Sequence, residues 1–118
     1  MIPSGSCGAM RKVFYPELFV GSSQAGDAKN LSTKVWEFSG FLVNQLGITD
    51  LGAKFPHRVT LHDGCHDLRE SNNKLPPRRL LTKVRGLELI EMAAAETCCG
   101  FGGTFVQSFR PFPPRWAR

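Results

Sequence analysis

Apolar positions recur along the chain at two spacings, and the spacing changes from one stretch to the next. Leu31, Val35, Phe38 and Leu42 follow one another at i, i+4, i+7 and i+11, which puts them on one face of an α-helix. Trp36 and Phe41 widen that face. Asp27 or Asn30 supplies a cap, and Gly47 ends the helix. Before it, Ser4-Gly5-Ser6-Cys7 opens a shorter helix that runs to about Tyr15, where Pro16 interrupts it. Residues 20–26 form a connector of small side chains.

The second half reads differently. Residues 58–62 are rich in β-branched and alternating side chains and predict a strand that ends at the turn Asp63-Gly64. Residues 71–77 form a loop. Pro77 suits the first position of a helix over 78–84, because no intrahelical acceptor waits there for its missing N–H. Gly86 closes that helix, and residues 87–92 give a second strand. Cys98-Cys99-Gly100-Phe101-Gly102-Gly103 is a glycine-rich turn. Strands alternating with helices predict an α/β layer: a small, mostly parallel sheet with flanking helices. Residues 106–118 hold Pro111, Pro113 and Pro114 with no periodicity and predict an unstructured tail.

At 118 residues the chain has room for one modest domain. A hydrophobic content of 42% with 21% charged residues excludes overall disorder. No apolar run is long enough to span a bilayer, so membrane insertion is not expected. Met1-Ile2-Pro3-Ser4-Gly5-Ser6-Cys7 has neither a basic n-region nor an apolar h-region, which predicts a cytoplasmic protein. The net charge of +5 is local. Arg69, Lys74, Arg78, Arg79, Lys83 and Arg85 face a single acid, Glu70, within 69–85, and the tail adds three arginines. The remainder is therefore acidic. With no aromatic residue in 69–85, the chain lacks the interleaved pattern of a nucleic-acid surface. A solvated helix face is the simpler account of these charges, with docking of an acidic partner or attraction of a carboxylate substrate as the sharper one.

Four cysteines are too few for a disulfide scaffold, and two of them are adjacent. Cys7 and Cys65 each follow a glycine-containing turn and each opens a predicted helix, a setting that favours thiolate. Cys98 and Cys99 add two sulfurs on a backbone that Gly100 lets approach closely. The 32 residues between Cys65 and Cys98 suffice for one helix and one strand, so three sulfurs can meet at one end of the sheet. Adjacent cysteines crowd a single zinc ion, whereas a cluster of several irons accepts them because each sulfur can serve a different iron. His62 and His66, four apart, admit a mixed Cys/His zinc site. They equally admit donation to a cluster sulfur or a purely structural role at the strand-to-helix turn. Buried, inert cysteines are the bland alternative, above all for Cys7. Gly100-x-Gly102-Gly103 follows a cysteine pair and not a clean strand, so dinucleotide binding is set aside.

Cys98-Cys99-Gly100-Phe101-Gly102-Gly103-Thr104-Phe105, with His62-Asp63-Gly64-Cys65-His66 and Leu68-Arg69-Glu70 before it, resembles the cysteine-rich CCG domain proteins. That family includes iron–sulfur proteins of lactate utilisation, the iron–sulfur subunit of glycolate oxidase and the B subunit of heterodisulfide reductase. Pro3-Ser4-Gly5-Ser6-Cys7, Tyr15-Pro16-Glu17-Leu18-Phe19, Pro77-Arg78 and Val84-Arg85-Gly86-Leu87-Glu88-Leu89 carry the same resemblance. It spans residues 2–105, which makes 1–105 a partial CCG domain and 106–118 the tail.

The family repeats a pattern of a lone cysteine, a Cys-Cys-Gly and a closing cysteine group. By that resemblance Cys7 closes the first copy, Cys65 opens the second, and Cys98 and Cys99 are its central pair. The resemblance implies that these four ligate iron–sulfur clusters of the 4Fe-4S type. Gly100, Gly102, Gly103, His62 and His66 would line them. It further implies electron transfer in oxidation of lactate or a similar 2-hydroxy acid, alongside other subunits of a cytoplasmic complex. The start of copy one and the close of copy two are not among these 118 residues. Past Phe105 the family continues into a helix where this chain turns to proline and arginine. The expectation is a piece of a two-copy protein, read in a shifted frame after about residue 105. It would not be a complete enzyme alone. A zinc-binding structural protein using Cys65, Cys98, Cys99 and a histidine, and a metal-free interaction module, are the alternatives.

Overall fold

A computed structural model describes residues 1–100. The predicted glycine-rich turn beyond Gly100, with Gly102 and Gly103, and the tail over 106–118 lie outside the described residues. The order is α1 (Gly5–Ala9), a π-helical turn (Met10–Phe14), α2 (Tyr15–Leu18), α3 (Ala25–Lys34), α4 (Phe38–Gly40) and a second π-helical turn (Phe41–Gln45). Then come β1 (Arg58–Val59), α5 (Cys65–Arg69), α6 (Leu75–Leu81) and β2 (Glu88–Leu89). β1 and β2 pair in parallel, Arg58 opposite Glu88 and Val59 opposite Leu89. A parallel pair needs a crossover, and α5 and α6 supply it. The α/β reading with a small parallel sheet holds, although each strand is two residues long where five or six were expected.

Pro16 does not stop the first helix. It sits in the first turn of α2, which needs no donor from it. In a regular helix its ring would strike the carbonyl of Lys12. The wider π turn just before it, in which the Tyr15 N–H donates to the Met10 carbonyl, relieves that clash. Lys12 then lies over the Trp36 ring, 4.9 Å from its centroid.

The single long helix expected up to Gly47 is two. Its break falls at residues 35–37, where Val35 turns extended. The Ile2 N–H donates to the Trp36 carbonyl (2.8 Å), and the Phe38 N–H donates to the Ile2 carbonyl (3.1 Å). Glu37 then restarts the helix by accepting the Ser39 and Gly40 N–H groups at 2.8 and 3.1 Å. The break resets the phase of the apolar face. Val35 and Leu42 are buried with Val43, while Leu31 and Phe38 are exposed.

α6 begins at Leu75, earlier than expected, because Pro76 and Pro77 both fall in a first turn whose N–H groups have no intrahelical acceptor. Gly86 ends the segment with φ +78°, and a Cβ there would lie 3.0 Å from Pro56 Cβ. Among the described residues the buried apolar side chains are Ala9, Ala28, Val35, Leu42, Val43 and Ala95. Among the described residues no large side chain is fully buried, and the shortest extent of the molecule is 17 Å.

Candidate metal-ligand region

The cysteines sit where chain segments meet. Cys65 is the first residue of α5, directly after the Asp63-Gly64 turn. Cys98 and Cys99 follow a turn over residues 92–97 that folds back on the end of the first strand limb. Two hydrogen bonds join these limbs: the Asp63 N–H donates to the Ala95 carbonyl (2.9 Å), and His62 Nε2 bonds the Thr97 carbonyl (2.8 Å). The residue before Cys98 is thus tied to a residue three before Cys65. Cys7 lies in α1, at its third residue rather than its start, and α1 packs on α5. That packing is close: a Cβ at Gly5 would fall 2.7 Å from Asp67 Cγ.

A second group of polar side chains braces α5 from the other side. The Asn73 amide nitrogen donates to Glu37 Oε2 (2.6 Å), Asp67 Oδ2 (2.9 Å) and Ser39 Oγ (3.0 Å). This links the α4 cap, α5 and the loop after it. Asp67 Oδ1 is buried without a partner among the described residues. Burial pushes the Asp67 carboxyl above its usual range, against the hydrogen bond from Asn73.

The centre of the limb junction is Arg78. Its Nη1 and Nη2 donate to Asp63 Oδ1 (2.7 Å) and Oδ2 (2.8 Å). Its Nε and Nη2 donate to Glu91 Oε1 (2.7 Å) and Oε2 (3.0 Å), and Nη1 also donates to the Lys74 carbonyl (2.8 Å). Those five bonds use the five N–H donors of a guanidinium. The Asp63 side chain is only 4% exposed and that of Arg78 13%. The Arg78 hydrogen bonds hold the Asp63 carboxyl below its ordinary range despite burial, and they lower Glu91 too. Lys74 pairs with Glu96, which raises its affinity for the proton.

These observations mark a surface where two loops and two short helices converge on cysteine-bearing positions. The family model of the cysteine-rich CCG domain matches residues 59–111, which include this surface's Cys65, Cys98 and Cys99. Lactate utilization protein A of Geobacillus thermodenitrificans is 47% identical over 92% of this chain and 46% of its own. The protein of the same name from Oceanobacillus iheyensis is 46% identical over 87% and 42%, and that from Bacillus subtilis 43% identical over 87% and 43%. Residues 59–111 are similar to the cysteine-rich CCG domain, and most of the chain is similar to the lactate utilization A proteins.

It spans less than half the length of the curated relatives it matches. No solved structure matches it.

The chain presents all four cysteines as free thiols, Cys7, Cys98 and Cys99 exposed and Cys65 half-buried. Soft sulfur ligands of this kind suit zinc or iron–sulfur chemistry. Their arrangement does not assemble a site: among the described residues no three His, Cys, Asp or Glu side chains stand close enough to hold a metal ion. The limbs bearing Cys65, Cys98 and Cys99 adjoin, but their sulfurs do not form one coordinating group. His62 lies before α5, so it does not share a helical face with His66 as the four-residue spacing allowed. It braces the Cys98 limb instead. The His66 ring nitrogen lies 3.8 Å from Cys65 Sγ. Gly100, with φ +75°, turns the chain directly after Cys99. The basic stretch over 69–85 is less free than its charge suggested, since Arg78 and Lys74 are spent on Asp63, Glu91 and Glu96. Among the described residues, no helix is long and apolar enough to cross a membrane.

Sequence reasoning missed the Arg78, Asp63 and Glu91 group and the Asn73 tie. Separations of 15 and 13 residues correspond to no helical or hairpin spacing, so no local pattern announces them. The only cue was an acid placed directly before the Gly64-Cys65 turn.

Proposed function

We propose that this chain is an iron–sulfur component of a lactate-utilising system. Cys65, Cys98 and Cys99 supply thiolates to one 4Fe-4S cluster, and Cys7 serves a neighbouring one. Residues 1–105 form the CCG unit. The complete protein carries electrons during oxidation of lactate or a related 2-hydroxy acid, with other subunits of a cytoplasmic complex as partners. What carries this reading is the pair of hydrogen bonds from His62 and Asp63 to Thr97 and Ala95, which bring the limb of Cys65 against that of Cys98. The identity to proteins named for lactate utilisation supports that substrate class. Because the sulfurs are not grouped, drawing them together is coupled to metal uptake, as is common for metal sites.

Anaerobic reconstitution with iron and sulfide tests the proposal. The expected product is coloured, contains iron and acid-labile sulfide, and loses both when Cys65 is changed to Ser. One zinc per chain with no visible absorption would replace the cluster by a structural Cys/His site. Failure to hold either metal, with thermal stability unmoved by a chelator, would leave only an interaction module.

A further inference from the structure

We infer that Arg78 is the positioning residue that sets how near the Cys65 limb stands to the Cys98 limb. The inference rests on the proposed role of those thiols for its purpose, but its geometry stands apart from it. Three separate pieces of chain end on one guanidinium. Asp63, two residues before Cys65, takes one forked pair of hydrogen bonds; Glu91, seven before Cys98, takes the other; the carbonyl of Lys74, the residue that caps the start of α6, takes the fifth N–H. Bidentate pairs of this kind fix orientation as well as distance. The strand pairing below this point covers two residues a side, too little to define where the limbs go next. Above it, among the described residues, stand the His62 side-chain bond to Thr97, the Asp63 backbone bond to Ala95 and the exposed Lys74–Glu96 pair. A lysine would carry the charge but neither fork, since its three donors radiate from one nitrogen.

The experiment uses the full chain with Cys7→Ser and Cys99→Ser, leaving Cys65 and Cys98 as the thiols. Dibromobimane, whose fluorescence appears when both of its arms have alkylated a thiol, reads their proximity. Arg78→Lys is expected to lower the yield of linked product about tenfold while leaving the circular dichroism unchanged, the scale of loss when charge-assisted bonds are removed. Arg78→Ala should show the same loss. Millimolar guanidinium, but not methylammonium, should restore its yield by occupying the vacated fork. A parent chain that does not cross-link, a lysine variant that cross-links as the parent does, or an alanine variant that guanidinium fails to restore would each overturn the inference. Failure of the iron–sulfur reading looks different: the parent takes up no iron or sulfide, while cross-linking and its dependence on Arg78 persist.

Discussion

Replacing Gly5 by alanine should pry apart the two helices that carry Cys7 and Cys65. The added methyl would fall 2.7 Å from Asp67 Cγ and closer still to Asp67 Cβ, inside the limit of real carbon contacts. Asp67 Cβ is fixed to the α5 backbone and cannot swing away, so the helices must separate or tilt. Overpacking of this kind costs about 1–3 kcal/mol. Alanine recovers some of that by its helix propensity, worth at most about 1 kcal/mol and less at a helix start. The net loss is about 1–2 kcal/mol, which for a domain of this size lowers Tm by roughly 5–15 °C. Gly8, in the same helix, provides the control: a Cβ there meets nothing within 4 Å, so Gly8→Ala should gain about 0.5–1 kcal/mol. Urea unfolding of the two variants beside the parent, compared by midpoint at equal m-value, reads the difference. A Gly5→Ala midpoint equal to or above that of Gly8→Ala would refute the packing of α1 on α5 described above.

Two further outcomes follow from the same contacts. Asp63→Asn turns one arm of the Arg78 fork into a donor facing a donor, and should cost about 2–3 kcal/mol at neutral pH. The Asp63 carboxyl is held below its unfolded value, so its contribution is complete above that value and fades as pH falls through the lowered native one. The gap between parent and variant should therefore be constant at neutral pH and close in acid; a gap that widens in acid contradicts the pairing. Asp67, shifted upward by burial, works in the opposite sense and favours the fold as pH falls. Gly86→Ala places a side chain at φ +78° and against Pro56. It should lose about 1–2 kcal/mol in thermal unfolding, and an unchanged Tm would show that the turn relaxes freely.

The elements that could be read from the sequence are those fixed by near neighbours. Asp63-Gly64 turning into a helix at Cys65, the left-handed glycines 47 and 86, and two strands joined by a helical crossover all rest on local chemistry. The break at residues 35–37 could not be read, because Ile2 imposes it from more than thirty positions away. The periodicity of Leu31, Val35, Phe38 and Leu42 is genuine, yet only half of that face is buried once the helix restarts at Glu37. Both strands were overestimated for a related reason: alternation shows which residues tolerate a strand, and pairing shows which are used. The four cysteines were visible as candidates from the first. Their neighbourhood depends on Arg78, whose partners lie at spacings that no secondary structure produces.

The shortest extent of the described structure is 17 Å, yet the Asp63 carboxylate is almost wholly covered. Asp63 is dry because a guanidinium and a turn close over it from the side, in the way a hand shelters a flame. Shelter gained by lateral cover can be removed by loosening one contact. Water would then reach the Asp63 carboxylate by displacement of a few side chains, without unfolding of the layer beneath.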